Sequence, residues 1–394
     1  MSFIIFGDAF TFPEGNAATN RAFTYAKGFT ENGIKTHVIC FRNEFLKKPN
    51  GKVSGVYYYH PYDRETRSRS FILRRWFTIR KYVRAFQLVR RINKEDRIIA
   101  IHVYSYRFLT HLAAYVSARS IGSKVLIERS EHPLKDIRNK LHLAITGKLK
   151  IYLETILSDG ILCISDYLIN FYRNLGFKKK RILLVPSTVD TQRFNINPPS
   201  PVPYDFICYC GSLTLEKDGV NILIESFMKI APRHPDLNLL LVGKGDTIEE
   251  EEAVKELVRK LDAENRVAFT GQISRTNVPE YLCNARILAL ARPSSIIADA
   301  GFPSKLTEYL ATGKPVVVTK VGEIPLYLTD NETAFLAEPD SIEAFAEKLD
   351  SALSNYEFAM QVASKGKLLT TTVFNHNYQS KNIIEFIKEI SENK

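Results

Sequence analysis

Residues 206–227 read FICYCGSLTLEKDGVNILIESF, a stretch that contains a complete strand, turn and helix. The apolar run that ends at Cys210 predicts a buried strand, and Gly211 predicts a turn. The segment Ile222–Ile230 has the apolar spacing of a helix, with Asp218 as its expected N-cap. Strands and helices that alternate along a chain indicate parallel sheets covered by helices on both faces.

The same alternation runs along nearly the whole chain. In the first half the predicted strands are Ser2–Phe6, Lys35–Cys40, Arg97–Val103, Lys124–Ile127, Gly160–Ile164 and Arg181–Val185. In the second half the predicted strands are Asp205–Cys210, Asn238–Val242, Arg266–Phe269, Ile287–Ala291 and Pro315–Thr319, and further helices are predicted at Glu249–Leu261 and Ser341–Leu353. Between the halves, residues 195–205 read NINPPSPVPYD, and four prolines in eleven residues predict a linker.

We therefore expect an α/β protein with two doubly wound, Rossmann-like domains that face each other across a cleft. The first would comprise residues 1–195 and the second residues 204–375. Residues 376–394 would form a C-terminal helix that packs back on the first domain. Ligands of such domains bind at the carboxyl ends of the strands.

The composition is that of a soluble globular protein, with 45% hydrophobic and 25% charged residues. No apolar run reaches the roughly 18–20 residues of a membrane span, and the N-terminus lacks the basic region of a signal peptide. Five cysteines in mostly apolar runs suggest core residues in a reducing compartment rather than a metal site. Residues 1–200 carry a net charge of +19 and the remainder −8, so the two domains are expected to meet different partners.

Two loops before helices are candidates for binding an anion. After the first strand, a loop with Gly15 and Asn16 precedes a helix, whose first backbone amides can hold a phosphate or carboxylate. After the strand that ends at Cys210, a glycine, the Ser212 hydroxyl and Lys217 surround a helix start, which suits a pyrophosphate. An ordinary connecting loop and a solvated lysine are the structural alternatives.

Residues 300–318 read AGFPSKLTEYLATGKPVVV and predict a helix that begins near Ser304. Lys305 and Glu308 are three residues apart, so they share one face of its first turn. Amides near Phe302 and Ser304 could meet a phosphate or sugar, Lys305 adds positive charge, and Glu308 can accept two hydrogen bonds from a diol. The alternative is a simple ion pair within the helix, worth only about 0.2–0.5 kcal/mol.

Four ordered stretches together resemble the retaining family 4 glycosyltransferases of the GT-B fold. They read GILCISDYLINFYRNLGF, RILLVPSTVDTQRF, CGSLTLEKDGVNILIESF and AGFPSKLTEYLATGKPVVVTKVGEIP. The resemblance implies a C-terminal domain that binds a nucleotide-diphosphate sugar and an N-terminal domain that binds the acceptor. It also implies that Glu308 holds the ribose, that Lys217 meets the diphosphate, and that the loop at Gly15–Asn16 closes on the donor.

The resemblance further implies catalysis without a metal or other cofactor, and the chain contains no Asp-x-Asp motif. Lys217, Lys305 and helix-terminal amides would then stabilise the leaving diphosphate. The expected acceptor is a glycan or a polyprenyl-linked glycan in cell-surface polysaccharide synthesis. The full set of expected donor-binding residues is Gly15, Asn16, Gly211, Ser212, Lys217, Asp299, Phe302, Pro303, Ser304, Lys305 and Glu308.

Two positions depart from the family pattern. The family usually has a second glutamate eight residues before Glu308, where this chain has Ala300, with Asp299 beside it as our candidate for the missing acid. The family also commonly has an arginine where Ser212 stands, and we infer that Lys305 replaces its charge. These changes leave room for a sugar-nucleotide epimerase or a catalytically weak scaffold subunit.

The acceptor side offers Glu131 and His132, which follow a predicted strand and could accept a proton from an acceptor hydroxyl. His132 could equally cap the following helix. His102 and Tyr104 could line the same pocket.

Residues 64–97 form a strongly basic segment. As a helix it has an apolar stripe at Ile72, Trp76, Ile79, Val83 and Phe86, while Leu73, Phe77 and Leu88 lie among basic residues on another side. Because apolar residues interleaved with arginines are typical of an interfacial helix, we expect the face spanning Arg74–Arg91 to contact an anionic membrane. The alternative is a solvated basic face. We expect a cytoplasmic protein, peripheral on the inner face of the membrane, and no nucleic-acid partner.

Overall fold

The computed structural model describes residues 1–15, 17–42, 48–133, 141–177 and 181–392, and for 141–146 only the backbone. It divides into two compact units. Unit 1 is Met1–Thr188 together with His376–Lys394, and unit 2 is Val189–Asn375. The proline-rich segment therefore lies inside unit 2, where the Asn284 side-chain amide donates hydrogen bonds to the carbonyls of Pro198 and Pro199.

Unit 1 is built on an eight-stranded sheet with the order β3-β4-β2-β1-β5-β6-β7-β8. All neighbouring pairs are parallel except β3–β4, a hairpin that the sequence analysis missed. The strands are β1 Ser2–Gly7, β2 Lys35–Cys40, β3 Asn50–Val53, β4 Val56–Tyr59, β5 Ile98–Tyr104, β6 Lys124–Arg129, β7 Gly160–Cys163 and β8 Ile182–Leu184. The helices are α1 Ala17–Glu31, α2 Phe71–Glu95, α3 Phe108–Arg119, α4 Leu141–Ile156, α5 Asp166–Asn174 and the C-terminal α15 His376–Glu392.

The C-terminal helix α15 packs against α1. It buries Ile383, Phe386, Ile387 and Ile390 in the core of unit 1, and the His376 ring lies 2.8 Å from the Glu31 carboxylate of α1. The last helix of the chain is thus an integral part of unit 1.

Unit 2 is built on a six-stranded parallel sheet with the order β11-β10-β9-β12-β13-β14. Its strands are β9 Asp205–Cys210, β10 Leu237–Val242, β11 Val267–Gly271, β12 Ile287–Leu290, β13 Val316–Thr319 and β14 Phe335–Ala337. Its helices are α6 Leu215–Asp218, α7 Val220–Ile230, α8 Ile248–Lys260, α9 Val278–Asn284, α10 Ile296–Ala300, α11 Ser304–Thr312, α12 Ile324–Tyr327, α13 Ile342–Ser354 and α14 Tyr356–Leu368. Two parallel α/β sheets confirm the predicted fold class.

Helix α2 packs with a different face from the one that the sequence analysis chose. Phe77, Lys81, Ala85, Val89 and Ile92, spaced by three or four residues, form its buried stripe. Phe77 is therefore part of the core and not of a membrane-facing set, and the Lys81 ammonium donates a 2.8 Å hydrogen bond to a backbone carbonyl. The stripe that starts at Ile72 and includes Trp76 points to solvent instead. Apolar spacing predicted the stripe that starts at Ile72, but of the apolar residues that meet the sheet the sequence analysis named only Phe77.

Candidate functional site

The candidate site lies in unit 2, where the chain changes direction across the sheet. Strand β9 is first in sequence but central in the sheet, so the chain proceeds from it to one side through β10 and returns to its other side at β12. Open parallel sheets bind ligands outside the carboxyl ends of the strands at this switch point. The loops after β9 and β10 pack tightly there, because a Cβ on Gly243 would lie 1.9 Å from the carbonyl oxygen of Gly211.

A lysine and an aspartate meet at this edge. The Lys305 ammonium, in the first turn of α11, lies 2.7 Å from Asp218 Oδ2 and donates a 2.9 Å hydrogen bond to the Tyr209 hydroxyl. Burial alone would raise the pKa of the Asp218 carboxyl, but Lys305 outweighs it and holds that pKa below its ordinary value. The carboxylate is therefore ionised at neutral pH.

Further cations surround the same carboxylate. Arg292, which follows β12 and is buried, and Lys217 in α6 both lie near enough to lower the pKa of Asp218. Three cations, Lys305, Arg292 and Lys217, therefore lie around one carboxylate at this end of the sheet. A cluster of cations of this kind favours the binding of an anion.

A second ion pair lies on the same helix. Glu308 Oε1 is 2.6 Å from Arg193 Nη1, and the other terminal nitrogen of Arg193 donates to the carbonyl of Arg275. Arg193 lies in the short 3-10 helix Thr191–Phe194, which Asp190 caps. Since the arginine is fixed at two points, it fixes the orientation of the Glu308 carboxylate.

Two helix N-termini complete the arrangement. Neither α7 nor α11 has a side-chain cap. The Val220 amide of α7 already donates a 3.4 Å hydrogen bond to the Thr214 carbonyl, so the next amides of α7 and the first amides of α11 are the ones that can bind an anion. The Tyr309 hydroxyl accepts a 2.8 Å hydrogen bond from the backbone amide of Cys210, which fixes α11 to the end of β9.

The other predicted donor residues of unit 2 lie around this centre. A Cβ on Gly211 would lie 2.5 Å from Lys305 Nζ, and the Ser212 hydroxyl donates to Asp246 at 2.7 Å. Pro303 is the N-cap residue of α11, which begins at Ser304 as predicted. Phe302 is buried against Tyr327 and Phe374, so its ring belongs to the core and only its backbone faces the loop.

Two details of the loops differ from expectation. Asp218 does not cap α7: it ends the separate one-turn helix α6, and Gly219, in a left-handed conformation, is the N-cap residue. The predicted loop after β12 contains the short helix α10, in which Ala300 is fully buried and Asp299 is exposed. Adjacent helical residues point about 100° apart, so the two positions present their side chains to different surroundings.

The predicted loop at the start of unit 1 is tightly closed around its glycine. A Cβ on Gly15 would lie 2.2 Å from the hydroxyls of both Thr11 and Thr19, and the Thr19 hydroxyl donates to the carbonyl of Thr11. Helix α1 follows at Ala17. Asn16 lies outside the described residues.

The predicted acceptor residues lie in unit 1. Glu131 Oε2 is 3.4 Å from the Tyr106 hydroxyl, and the His132 ring is buried between the rings of Tyr167 and Phe171. Burial lowers the pKa of His132, so its imidazole is neutral at pH 7.

His102 and Tyr104 are also placed in unit 1. His102 is fully buried, with Nε2 3.0 Å from Glu128, so it is part of an internal network and does not line an open pocket. Tyr104 is buried too, and its hydroxyl hydrogen-bonds to Ser130.

Sequence reasoning missed three residues of the unit 2 site: Arg193, Arg292 and Tyr209. Arg292 directly follows a predicted strand, a position that could have indicated it. Tyr209 lies within the apolar run of β9, where nothing distinguishes it from a core residue. The pairing of Arg193 with Glu308 joins residues 115 positions apart, which no local pattern reveals.

Residues 18–193 match the Glycosyltransferase Family 4 family, and residues 190–369 match Glycosyl transferases group 1. The two matches adjoin and together span most of the chain. This chain belongs to glycosyltransferase family 4. The family that the four sequence motifs predicted is thereby confirmed, and the protein is a glycosyltransferase.

Individual relatives agree with the family assignment. A Haemophilus influenzae protein described as an uncharacterized glycosyltransferase is 33% identical over 174 residues, which cover 44% of this chain and 45% of that protein. The gpi3 subunit of phosphatidylinositol N-acetylglucosaminyltransferase from Schizosaccharomyces pombe is 26% identical over 88% of this chain and 72% of its own. Among solved structures, Anabaena HepE in complex with UDP and glucose superposes with a TM-score of 0.70 at 16% identity, covering 98% of this chain and 99% of that one. This last likeness concerns the fold alone.

Two features are absent from the described residues, namely a cluster of metal ligands and a membrane-spanning helix. The described residues contain no group of three or more His, Cys, Asp or Glu side chains that could hold a metal ion. No helix in the described part of the chain is long and apolar enough to cross a bilayer.

Proposed function

We propose that unit 2 of this family 4 glycosyltransferase binds a nucleotide-diphosphate sugar and that unit 1 binds the acceptor. The observation that carries the proposal is the cluster of Lys305, Arg292 and Lys217 around Asp218, next to the uncapped N-termini of α7 and α11. A nucleotide-diphosphate sugar brings two negative charges on its diphosphate, and departure of the sugar adds a third. Lys305, Arg292 and Lys217 would neutralise that charge as it develops.

The Glu308 carboxylate suits the other end of the nucleotide. Its partner Arg193 holds it at 2.6 Å, and both side chains are partly exposed. A fixed carboxylate can accept two hydrogen bonds from the vicinal hydroxyls of a ribose. We therefore propose Glu308 as the ribose contact and Arg193 as the residue that positions it.

We further propose that transfer proceeds without a metal and with retention of configuration, as the family resemblance implies. In that case the cations and helix amides supply the charge stabilisation that a metal ion supplies in other nucleotide-sugar enzymes. Asp299 stays our candidate for contact with the donor sugar, and the loop at Gly15 for closure on the donor.

For the acceptor we propose a glycan or a lipid-linked glycan of cell-surface polysaccharide synthesis. Glu131 and the neutral imidazole of His132 are our candidates to accept the proton of its hydroxyl. The relative gpi3 subunit, by its name, transfers N-acetylglucosamine to phosphatidylinositol, which supports a lipid-linked acceptor and an N-acetylglucosamine donor as first candidates.

The test is a donor screen. The protein is incubated with UDP-, GDP- and ADP-sugars in the presence of a chelator, while release of nucleoside diphosphate and the thermal shift of unit 2 are measured. We expect one nucleotide class to raise the melting temperature and to be turned over slowly by hydrolysis. Absence of any shift or release with all donors would contradict the proposal and favour a scaffold subunit. Activity that appears only with added divalent cation would contradict metal independence.

A further inference from the structure

Three neighbouring helices of unit 1 turn apolar side chains outward. Helix α2 contacts α3, and α3 contacts α4. Their connections β4–α2–β5, β5–α3–β6 and β6–α4–β7 all progress in the same direction across the sheet, and right-handed crossovers then place the three helices on one side of it. They form one continuous layer.

Each helix exposes an apolar stripe opposite its buried face. We call these side chains the outer face; they are Phe71, Ile72, Leu73, Trp76, Ile79 and Val83 of α2, Leu109, Leu112 and Val116 of α3, Leu149, Tyr152, Leu153 and Ile156 of α4, and Tyr106 just before α3. Within each helix most of them recur every three or four residues, so they point the same way. They are 14 of the 23 large hydrophobic side chains that are exposed among the described residues. Such clustering marks an interaction surface.

The charge on the three helices is predominantly positive. Helices α2, α3 and α4 contain eleven Lys or Arg residues and two Glu residues. Of the two glutamates, Glu154 is buried and paired with Arg129, while Glu95 is the last residue of α2. Of the basic residues, only Lys81 is buried. Carboxylates of adjoining loops pair with two of the basic residues, Asp63 with Arg84 and Asp159 with Arg119, and Glu131 lies 3.4 Å from the Tyr106 hydroxyl. The basic residues still outnumber these acids, and an apolar face with an excess of basic residues matches an anionic bilayer surface.

We propose that the outer face of unit 1 binds the surface of an anionic phospholipid bilayer, with Trp76, Ile79 and Leu149 among the side chains that enter the interface. The basic residues of the three helices would contact the lipid phosphates. The sequence predicted that the face of α2 with Phe77 and Lys81 contacts the membrane, but both side chains are buried in the domain. The exposed stripe of α2 that starts at Ile72 takes that role in this proposal. This proposal does not rest on donor binding, because every residue in it belongs to unit 1.

A second copy of the chain fits the same surface poorly. A two-fold symmetric dimer places a surface patch against itself, so the exposed basic side chains of one patch would meet those of the other. Like charges at a desolvated interface oppose association. Nucleic acid would match the charge but would leave the apolar side chains without a partner.

The chain contains a single tryptophan, and it lies on this surface. The fluorescence of Trp76 in the full-length protein therefore reports directly on the outer face. We would titrate the protein with vesicles of phosphatidylcholine alone and of phosphatidylcholine with phosphatidylglycerol, at low and high salt. We expect a blue shift of the emission, protection from acrylamide and co-sedimentation with the anionic vesicles, weakened by salt.

Two variants distinguish binding through the outer face from the effects of unfolding and from non-specific hydrophobic binding. Ile79→Ser with Leu149→Ser keeps the reporter and should weaken partitioning by about tenfold, with an unchanged far-ultraviolet spectrum. Leu368→Ser, at an equally exposed leucine at the end of α14 in unit 2, should bind vesicles like the wild type.

Three results would overturn the proposal. One is no blue shift and no co-sedimentation at low salt. Another is equal binding to neutral and anionic vesicles, which would remove the role of the basic residues. The third is a protected Trp76 in the absence of vesicles, together with a dimer by light scattering, which would assign the surface to self-association.

Discussion

The two units use buried charge in different ways. In unit 1 the Arg21–Glu128 pair, at 2.7 Å, is covered, with side-chain exposures of 5% and 0%. In unit 2 the Lys305–Asp218 pair has the same length, but Lys305 is 17% exposed, and the Arg193–Glu308 pair is 15% exposed on both sides. A covered pair can only hold the fold together, whereas a pair with an open side can also contact a ligand. The difference distinguishes a structural network from a candidate binding site.

The internal network of unit 1 joins three elements. Arg21 of α1 donates to Glu128 of β6 and to the carbonyls of Val185 and Pro186 after β8. Burial alone would raise the pKa of Glu128, but Arg21 outweighs it and lowers that pKa. Removing one member leaves a buried charge without its partner, which is far costlier than losing a surface pair.

The largest effect is therefore expected from Glu128→Gln. We expect it to destabilise unit 1 by about 3 kcal/mol, because Arg21 loses its counter-charge. Hydrogen exchange of β6 amides measures this within the full chain. Glu31→Gln, which removes a carboxylate partly exposed beside His376, is the control and should cost less than about 1 kcal/mol. A loss below 1 kcal/mol for Glu128→Gln would show that the covered pair does not stabilise unit 1.

Lys305→Met should weaken binding of the nucleoside diphosphate by about tenfold or more, since one of three cations at the diphosphate is lost. The loss in the free energy of unfolding should be smaller than the loss in binding free energy, because Arg292 and Lys217 still lie near Asp218. Calorimetric titration measures the binding. Lys229→Met is the matched control, as it breaks a 2.9 Å lysine–glutamate pair on the surface of the same unit. Equal affinities for the two variants would contradict a role of Lys305 in binding.

Acid should destabilise unit 1 through the buried imidazole of His111 in α3. Burial, then Arg129, lowers the pKa of His111 to about 3 in the folded state. Lys150 lowers it further, while the Ser105 carbonyl, which accepts from Nε2, favours the protonated form and Glu154 Oε2 lies 3.9 Å away. Below about pH 6.5 the imidazole is protonated in the unfolded chain but stays neutral in the folded chain. The contribution of His111 to the free energy of unfolding is therefore complete above about pH 6.5 and declines as the pH falls.

The variant that checks this is His111→Gln. Between pH 6.5 and 5 the wild type should lose roughly 1–2 kcal/mol of unit 1 stability through this residue, and the variant should lose that much less. Urea unfolding followed at several pH values measures the difference. Parallel pH curves for the two proteins would show that His111 is not responsible.

Gly211→Ala should have the smallest effect. The new methyl group would lie 2.5 Å from Lys305 Nζ and 2.9 Å from the Tyr209 hydroxyl, so the flexible end of the lysine would have to shift. We expect affinity for the nucleoside diphosphate to fall about threefold, with a change in stability below about 1 kcal/mol. If the effect acts through Lys305, the double variant with Lys305→Met will bind no worse than Lys305→Met alone. If the losses in binding free energy of the two single variants add up in the double variant, Gly211→Ala does not act through Lys305.

The sequence predicted the fold and the placement of α11, because strand–helix alternation and helix signals are local. Lys305 and Glu308 accordingly lie in its first two turns at the switch point. The sequence did not predict that Asp218 pairs with Lys305 or that Arg193 pairs with Glu308. In each pair the two residues are far apart in the sequence, so no local pattern indicates the contact. The packing face of α2 was misassigned because the buried stripe contains the charged Lys81 and the small Ala85, so it is less apolar in sequence than the exposed stripe that starts at Ile72.

The most direct test of the difference between the units is calorimetric titration of Glu308→Ala with the nucleoside diphosphate that the donor screen selects, with Glu343→Ala as control. We predict that Glu308→Ala binds about tenfold more weakly, because the ribose loses its carboxylate. We also predict that its melting temperature changes far less than that of Glu128→Gln. Unchanged affinity of Glu308→Ala would contradict the account.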